Sequence, residues 1–200
     1  SIQKVSGLKP NHPVKQYVNS RQIPTHKHYM LYYAPKFVSW INKIIPNKLT
    51  NMSEHPRLII PLIDENQNLF GVSARAFDKK LIRYITIMFD ESKPKVFGLN
   101  TVDFSKRYYI LEGPIDSLFI DNSIAMVGAD FSFDCLKNKM NAVFIFDNER
   151  RNAQIVKRME RYISKGLNIC FWPETIKQKD VNDMILAGIK MVDIQCIINN

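Results

Sequence analysis

Tyr108-Tyr109-Ile110-Leu111-Glu112-Gly113-Pro114-Ile115-Asp116 reads as a strand, a turn and the start of a helix. Four consecutive aromatic or apolar residues fit a strand buried on both faces. Gly113-Pro114 turns the chain, and a proline suits a helix's first turn because the N–H it lacks would be unbonded there anyway. A short helix then runs to Ile120, with Asp116 in its first turn. Glu112 therefore ends a strand with Asp116 close by, on the edge where open α/β sheets bind ligands.

Working outward, the pattern from Lys106 onward alternates regularly. Strand 107–112 leads to helix 115–121, strand 124–127 to helix 132–139, and strand 142–146 to a long helix from about 150 to 164. Strand 167–172 ends at Pro173, and helices near 181–188 and 190–198 follow. Such alternation with short connections predicts a parallel sheet flanked by helices, joined by right-handed crossovers. On the long helix, Val156, Met159 and Ile163 are expected to face the core, and Arg150, Lys157 and Arg161 the solvent. Residues 1–105 have a different rhythm. Short helices are expected after His12-Pro13 and from Phe37 to Pro46, with Trp40 in the core. A hairpin of Arg57–Ile63 and Leu69–Phe77 turns at residues 64–68, and a third strand spans Ile82–Phe89. The predicted organisation is an α+β N-terminal subdomain, 1–105, before an α/β domain, 106–200.

Acids recur at the strand ends of that second domain. Asp147-Asn148-Glu149 follows the strand Ala142–Phe146, and Lys179-Asp180-Val181-Asn182-Asp183 follows the last strand. Aligned carboxylates repel and raise one another's pKa, so a site that gathers them needs a cation. Oxygen-only ligands suit Mg²⁺ or Mn²⁺, one or two ions, with substrate phosphates completing the shell. Any one of these clusters alone could be a solvated loop; their recurrence at successive strand ends points to a metal site.

The net charge of +9 favours an anionic partner. No apolar run is long enough to span a membrane, which implies a cytoplasmic protein without a membrane partner. Cys135, Cys170 and Cys196 are scattered, form no CxxC pair and are expected as buried free thiols. His26-x-His28 has no third ligand nearby and reads as surface, so zinc is not expected in this chain.

The motifs Glu112-Gly113-x-x-Asp116, Asp147-x-Glu149 and Lys179-Asp180-Val181-Asn182-Asp183 resemble those of the Toprim family, with glutamate at 149 where the family has a second aspartate. His12-Pro13-Val14 to Tyr33-Ala34-Pro35, the hairpin with Gly71-Val72-Ser73-Ala74-Arg75, and Pro94-Lys95-Val96-Phe97 resemble the RNA-polymerase core of bacterial and phage DNA primases. At Gly98 that family has an asparagine. The resemblance implies a Toprim-like fold and synthesis of RNA primers on single-stranded DNA by metal-dependent nucleotidyl transfer. It implies metal ligands at Glu112, Asp116, Asp147, Glu149 and Asp180, and catalytic roles for Glu112, Asp147, Glu149, Lys95 and Arg75. It also implies nucleotide or nucleic-acid contacts at Arg75, Arg83, Lys95, Arg150 and Arg151. The partners implied are template DNA, NTPs, a replicative helicase and a zinc-binding domain outside this stretch. Two alternatives stay open: a Toprim nuclease using the same acids, and a non-catalytic single-strand-binding replisome module with a degenerate site.

Overall fold

Two separate five-stranded sheets account for the strands. The computed structural model describes residues 1–128, 131 and 133–199. The chain divides into two units, Ser1–Lys95 and Val96–Asn200. The division falls after Lys95 and not after residue 105, because Val96–Phe97 hydrogen-bonds into the second sheet.

The first unit contains β1 (Gln3–Lys4), α1 (Pro13–Ser20), β2 (Tyr32–Ala34), α2 (Phe37–Ile44), β3 (Arg57–Ile63), β4 (Leu69–Ala76) and β5 (Tyr84–Met88). These strands form an antiparallel sheet in chain order. His12 caps α1 through Nδ1, which accepts from the Val14 N–H, and Pro13 opens the helix as expected. One face of α2 packs Phe37, Val38 and Ile41 onto Ile59, Val72, Ala74 and Ile87, with Trp40 partly buried beside them. Arg57 is enclosed almost completely. Its guanidinium donates to His55 Nε2 (2.7 Å) and to the carbonyls of Ala74 (2.8 Å) and Ile82 (3.0 Å). Those bonds tie β3 to the β4–β5 connection. His28 is buried, contrary to the surface reading. It accepts from Lys15 Nζ at Nδ1 (3.1 Å) and donates from Nε2 to the Ile23 carbonyl (2.9 Å). Lysine has only donors, which fixes this tautomer.

The second unit contains β6 (Val96–Phe97), β7 (Tyr108–Leu111), α3 (Pro114–Ser117), β8 (Ser123–Met126), β9 (Ala142–Ile145), α4 (Ala153–Ile163), β10 (Asn168–Cys170), α5 (Val181–Leu186) and α6 (Met191–Asn199). Its sheet order is β10-β9-β7-β8-β6, parallel except for the antiparallel edge strand β6. Gly98 follows β6 at φ +92, and a Cβ there would lie 3.0 Å from the Ser123 carbonyl. Both facts account for glycine at that position.

Three expectations change. The helix foreseen at 132–139 is two 3-10 turns, Phe133–Cys135 and Lys139–Asn141; residue 132 lies outside the described residues. The long helix begins at Ala153, so Arg150 precedes it. Its buried residues are Ile155 and Tyr162; of the expected Val156, Met159 and Ile163, the first two are half-buried and Ile163 is 49% exposed. Tyr162 packs edge-on against Phe144 (4.7 Å) and Phe146 (5.4 Å). Of the three thiols only Cys170 is buried; Cys196 is exposed. No helix among the described residues is long and apolar enough to cross a membrane.

Candidate active site

The order of the second sheet fixes where its acids meet. From β7 the chain crosses to β8 on one side, and from β9 to β10 on the other. The crevice between the carboxyl ends of β7 and β9 is thus the topological switch point, the preferred ligand site of such sheets. Leu111 lies opposite Ile145 in register, so Glu112 and Asp147 leave the sheet side by side. The backbone N–H of Asp147 donates to Glu112 Oε2 (2.9 Å).

Each neighbouring acid is set by local geometry. Asp116 sits in the first turn of α3, and a Cβ on Gly113 would come within 2.9 Å of its Oδ2. A glycine three residues before the aspartate lets that carboxylate fold back over the turn. Asp116 Oδ1 accepts from the Asn182 N–H (2.8 Å), joining α3 to α5. Asp180 caps α5, accepting from the Asp183 N–H (2.7 Å). Asn148 holds the loop before α5: its side-chain amide donates to the carbonyls of Ile176 (2.9 Å) and Gln178 (3.1 Å), and its own N–H to Lys179 O (2.6 Å). Lys179 Nζ then reaches Glu149 (3.3 Å) and Asp147 (3.7 Å).

The electrostatics record the crowding. Burial, followed by the charges of Asp180 and Asp183, raises the Asp116 carboxyl to about 7. Burial and then Glu112, Asp116 and Asp180 raise Asp147 to about 7 as well, against the opposing charge of Lys179. Burial works against the charged form of Lys179, yet its bond to Glu149 and the field of Asp147 outweigh it and raise its pKa. Among the described residues no three His, Cys, Asp or Glu side chains are spaced to hold a metal ion. The donor set is nonetheless all carboxylate oxygen, and two of its members resist ionising without a counter-charge. That chemistry fits a hard divalent cation once the side chains draw together.

The acids Glu112, Asp116, Asp147, Glu149 and Asp180 thus gather at one sheet edge. Arg150 and Arg151 line an open groove of about 660 Å³ with Glu149, Glu174 and Lys177. Arg150 is partly engaged already, donating to Asn148 Oδ1 (3.3 Å) and to the Trp172 carbonyl.

No protein-family model matches the chain. The DNA primase of Enterobacteria phage T4 is 35% identical over 187 residues, covering 92% of this chain and 54% of that protein. The chain thus spans about half the length of the curated relative it matches. The RNA polymerase domain of Mycobacterium tuberculosis primase superposes with a TM-score of 0.71 at 13% identity, over 98% of this chain and 78% of that one. Aquifex aeolicus primase (zinc-binding and RNA polymerase domains) gives 0.67 at 20% identity, over 94% and 56%. A DnaG primase catalytic domain bound to single-stranded DNA gives 0.67 at 14%, over 95% and 73%. This chain has the fold of a DNA primase catalytic core.

Within this primase fold, the remaining residues singled out from the sequence belong to the first unit. Arg75, on β4, is 7% exposed and lies between the rings of Tyr17 (5.5 Å) and Tyr84 (5.2 Å). It donates to the Tyr84 hydroxyl (2.7 Å), while its Nε finds no partner among the described residues. Arg83 also lies over the Tyr84 ring, 5.9 Å from its centroid. Lys95 directly precedes β6.

Two contributors escaped the sequence reading. In the sequence Asn148 reads only as the middle of the triplet Asp147-Asn148-Glu149. Arg158 forms an ion pair with Glu112 Oε1. The signal for Arg158 is a charged residue within the stripe Ile155, Arg158, Met159, Tyr162, at i, i+3, i+4 and i+7 of α4. A stripe displaced by one residue hides it.

Proposed function

We propose that this chain is the catalytic core of a DNA primase, joining ribonucleotides along a single-stranded DNA template. The observation that carries the reading is the bonding of Glu112 to Asp147 at the switch point of the second sheet. The 35% identity to phage T4 DNA primase makes the primase reading specific.

In this reading Glu112, Asp116, Asp147, Glu149 and Asp180 hold one or two Mg²⁺ or Mn²⁺ ions. When bound, such ions offset the charge of an incoming triphosphate and favour loss of the proton from a primer 3′-hydroxyl. The chain's own residues do the rest. The Asp147 N–H fixes the direction of Glu112. Lys179, spread between Glu149 and Asp147, limits repulsion within the cluster. Arg150 and Arg151 offer charge to phosphates entering the adjoining groove. Arg75 and Lys95 are assigned to neutralising nucleotide phosphates, and Arg83 to template contacts. Nothing favours hydrolysis over synthesis at these acids.

The test is to incubate the chain with single-stranded template, an annealed ribonucleotide primer, labelled NTPs and Mn²⁺ or Mg²⁺. Extended RNA is expected, and it should vanish in Glu112→Gln with the circular dichroism spectrum unchanged. Shortened DNA instead of extended RNA would replace the primase by a nuclease. Synthesis retained in Glu112→Gln would remove the proposed site.

A further inference from the structure

Glu112 ends β7 and has two oxygens that meet different donors. Oε2 accepts from the Asp147 N–H at the end of β9 (2.9 Å), and Oε1 from the Arg158 guanidinium on α4. Arg158 is itself held. Its guanidinium lies 5.8 Å from the centroid of the Phe146 ring, and Ile155, Met159 and Tyr162 keep this face of α4 against the sheet. Arg158 is one-third exposed, so its charge is only partly screened by solvent. A cavity of about 170 Å³, with Glu112, Arg158, Arg161 and Tyr162 among its walls, opens beside the pair.

We infer that Arg158 is a positioning residue for Glu112. The inference rests on the reading of Glu112 as a metal ligand. A free glutamate at a strand end samples several rotamers, and fixing it costs side-chain entropy. Two donors, one on each oxygen and from different elements, fix both the position of the carboxylate and its rotation. Each carboxylate oxygen has two acceptor sites, so one N–H apiece leaves one site on each oxygen for a cation. Arginine suits the task better than lysine. Its planar fork holds a set direction against a carboxylate, and it keeps its charge. Hydrogen-bonded partners of this kind around metal ligands typically contribute roughly ten- to a hundred-fold in metal affinity.

Simple electrostatics predicts the opposite sign, which makes the inference testable. If Arg158 were only a nearby positive charge, removing it would tighten cation binding. The experiment titrates the full chain with Mn²⁺ by calorimetry and by electron paramagnetic resonance, without nucleotide or DNA. Wild type, Arg158→Gln, Arg158→Lys, Glu112→Gln and the Arg158→Gln/Glu112→Gln double variant are compared. Arg158→Gln is expected to weaken Mn²⁺ binding by roughly ten- to a hundred-fold, and Arg158→Lys by less. The double variant should be no weaker than Glu112→Gln alone, because the arginine acts through the glutamate. Mn²⁺ affinity equal to or above wild type in both Arg158 variants would overturn the positioning role and leave the acids as ligands. Wild-type affinity in Glu112→Gln, or no Mn²⁺ binding by wild type, would overturn the metal-site reading and the inference with it. Arg158→Lys keeps a cation on α4 and serves as the deciding variant should Arg158→Gln fold poorly by thermal unfolding.

Discussion

Asp116 and Asp147 couple the protonation of the site to the stability of the fold. Each carboxyl is raised from 3.8 to about 7, chiefly by burial and then by its acidic neighbours. A carboxyl whose folded pKa exceeds its unfolded value favours the folded state when protonated. That contribution is complete below the unfolded pKa and is lost as pH rises through the folded one. In EDTA, the unfolding temperature should therefore fall as pH rises between the unfolded value of 3.8 and the folded value of about 7, and level off at higher pH. Buried His28 opposes this trend at the acid end. Burial lowers its pKa from 6.5, so its contribution is lost as pH falls. Asp147→Asn leaves His28 untouched. The variant should be more stable than wild type at about pH 8 and show a flatter pH profile. Equal pH profiles for the two proteins would mean that Asp147 ionises freely in the fold. A divalent cation should reverse the wild-type trend, because it binds the deprotonated cluster.

At the scale of elements, the site depends on a loop being tied to a strand end. Asn148 makes that tie through two side-chain bonds to the carbonyls of Ile176 and Gln178. Asn148→Ala should lower stability by about 1–2 kcal/mol, at about 1 kcal/mol net for each bond removed. Asn148→Asp should be worse despite its matching shape, because it sets a carboxylate against two carbonyl oxygens and adds a charge beside Asp147 and Glu149. Thermal unfolding of the two variants decides the order; an aspartate variant as stable as wild type would remove Asn148 from this role. The contrast also shows which parts of the fold the sequence carried openly. Tyr108–Leu111 and Ala142–Ile145 are buried on both faces, and a run of apolar residues is an unambiguous mark of that environment. Residues 133–141 form only 3-10 turns, where too few positions repeat for a helical period to tell turn from helix. Glu112, Asp116, Asp147, Glu149 and Asp180 could be read because strand ends of a parallel sheet share one edge. Arg158 could not be paired with Glu112 in the same way. The two are 46 residues apart, and only the packing of α4 on the sheet brings them together. Asn148 was similarly obscure, because an amide's partners are loop carbonyls that every residue possesses.

At the scale of the whole chain, charge separates the two units more sharply than fold does. Ser1–Lys95 carries fifteen lysines and arginines against six acids, whereas the second unit carries thirteen of each. The entire excess of +9 therefore belongs to the first unit, and the unit with the acid cluster is neutral overall. A neutral unit can gather carboxylates only by setting cations among them, as Lys179 and Arg158 do. An unbalanced basic unit, by contrast, attracts a polyanion at long range. If template DNA follows the first unit, its phosphates release counterions on binding, and affinity falls with salt at a slope of about −0.7 per phosphate neutralised on a single strand. Lys79, Lys80 and Arg83 lie in the connection from β4 to β5, and Arg83 is exposed. Replacing all three by glutamine should lower affinity for a single-stranded oligonucleotide and make the slope shallower by about 0.7 for each phosphate no longer neutralised. The same treatment of Lys157, Arg161 and Lys165 in the second unit should leave the slope nearly unchanged. Fluorescence anisotropy across a salt series measures both. A larger change of slope from the second set than from the first would move the template to the neutral unit, and the charge division would then have a cause other than DNA.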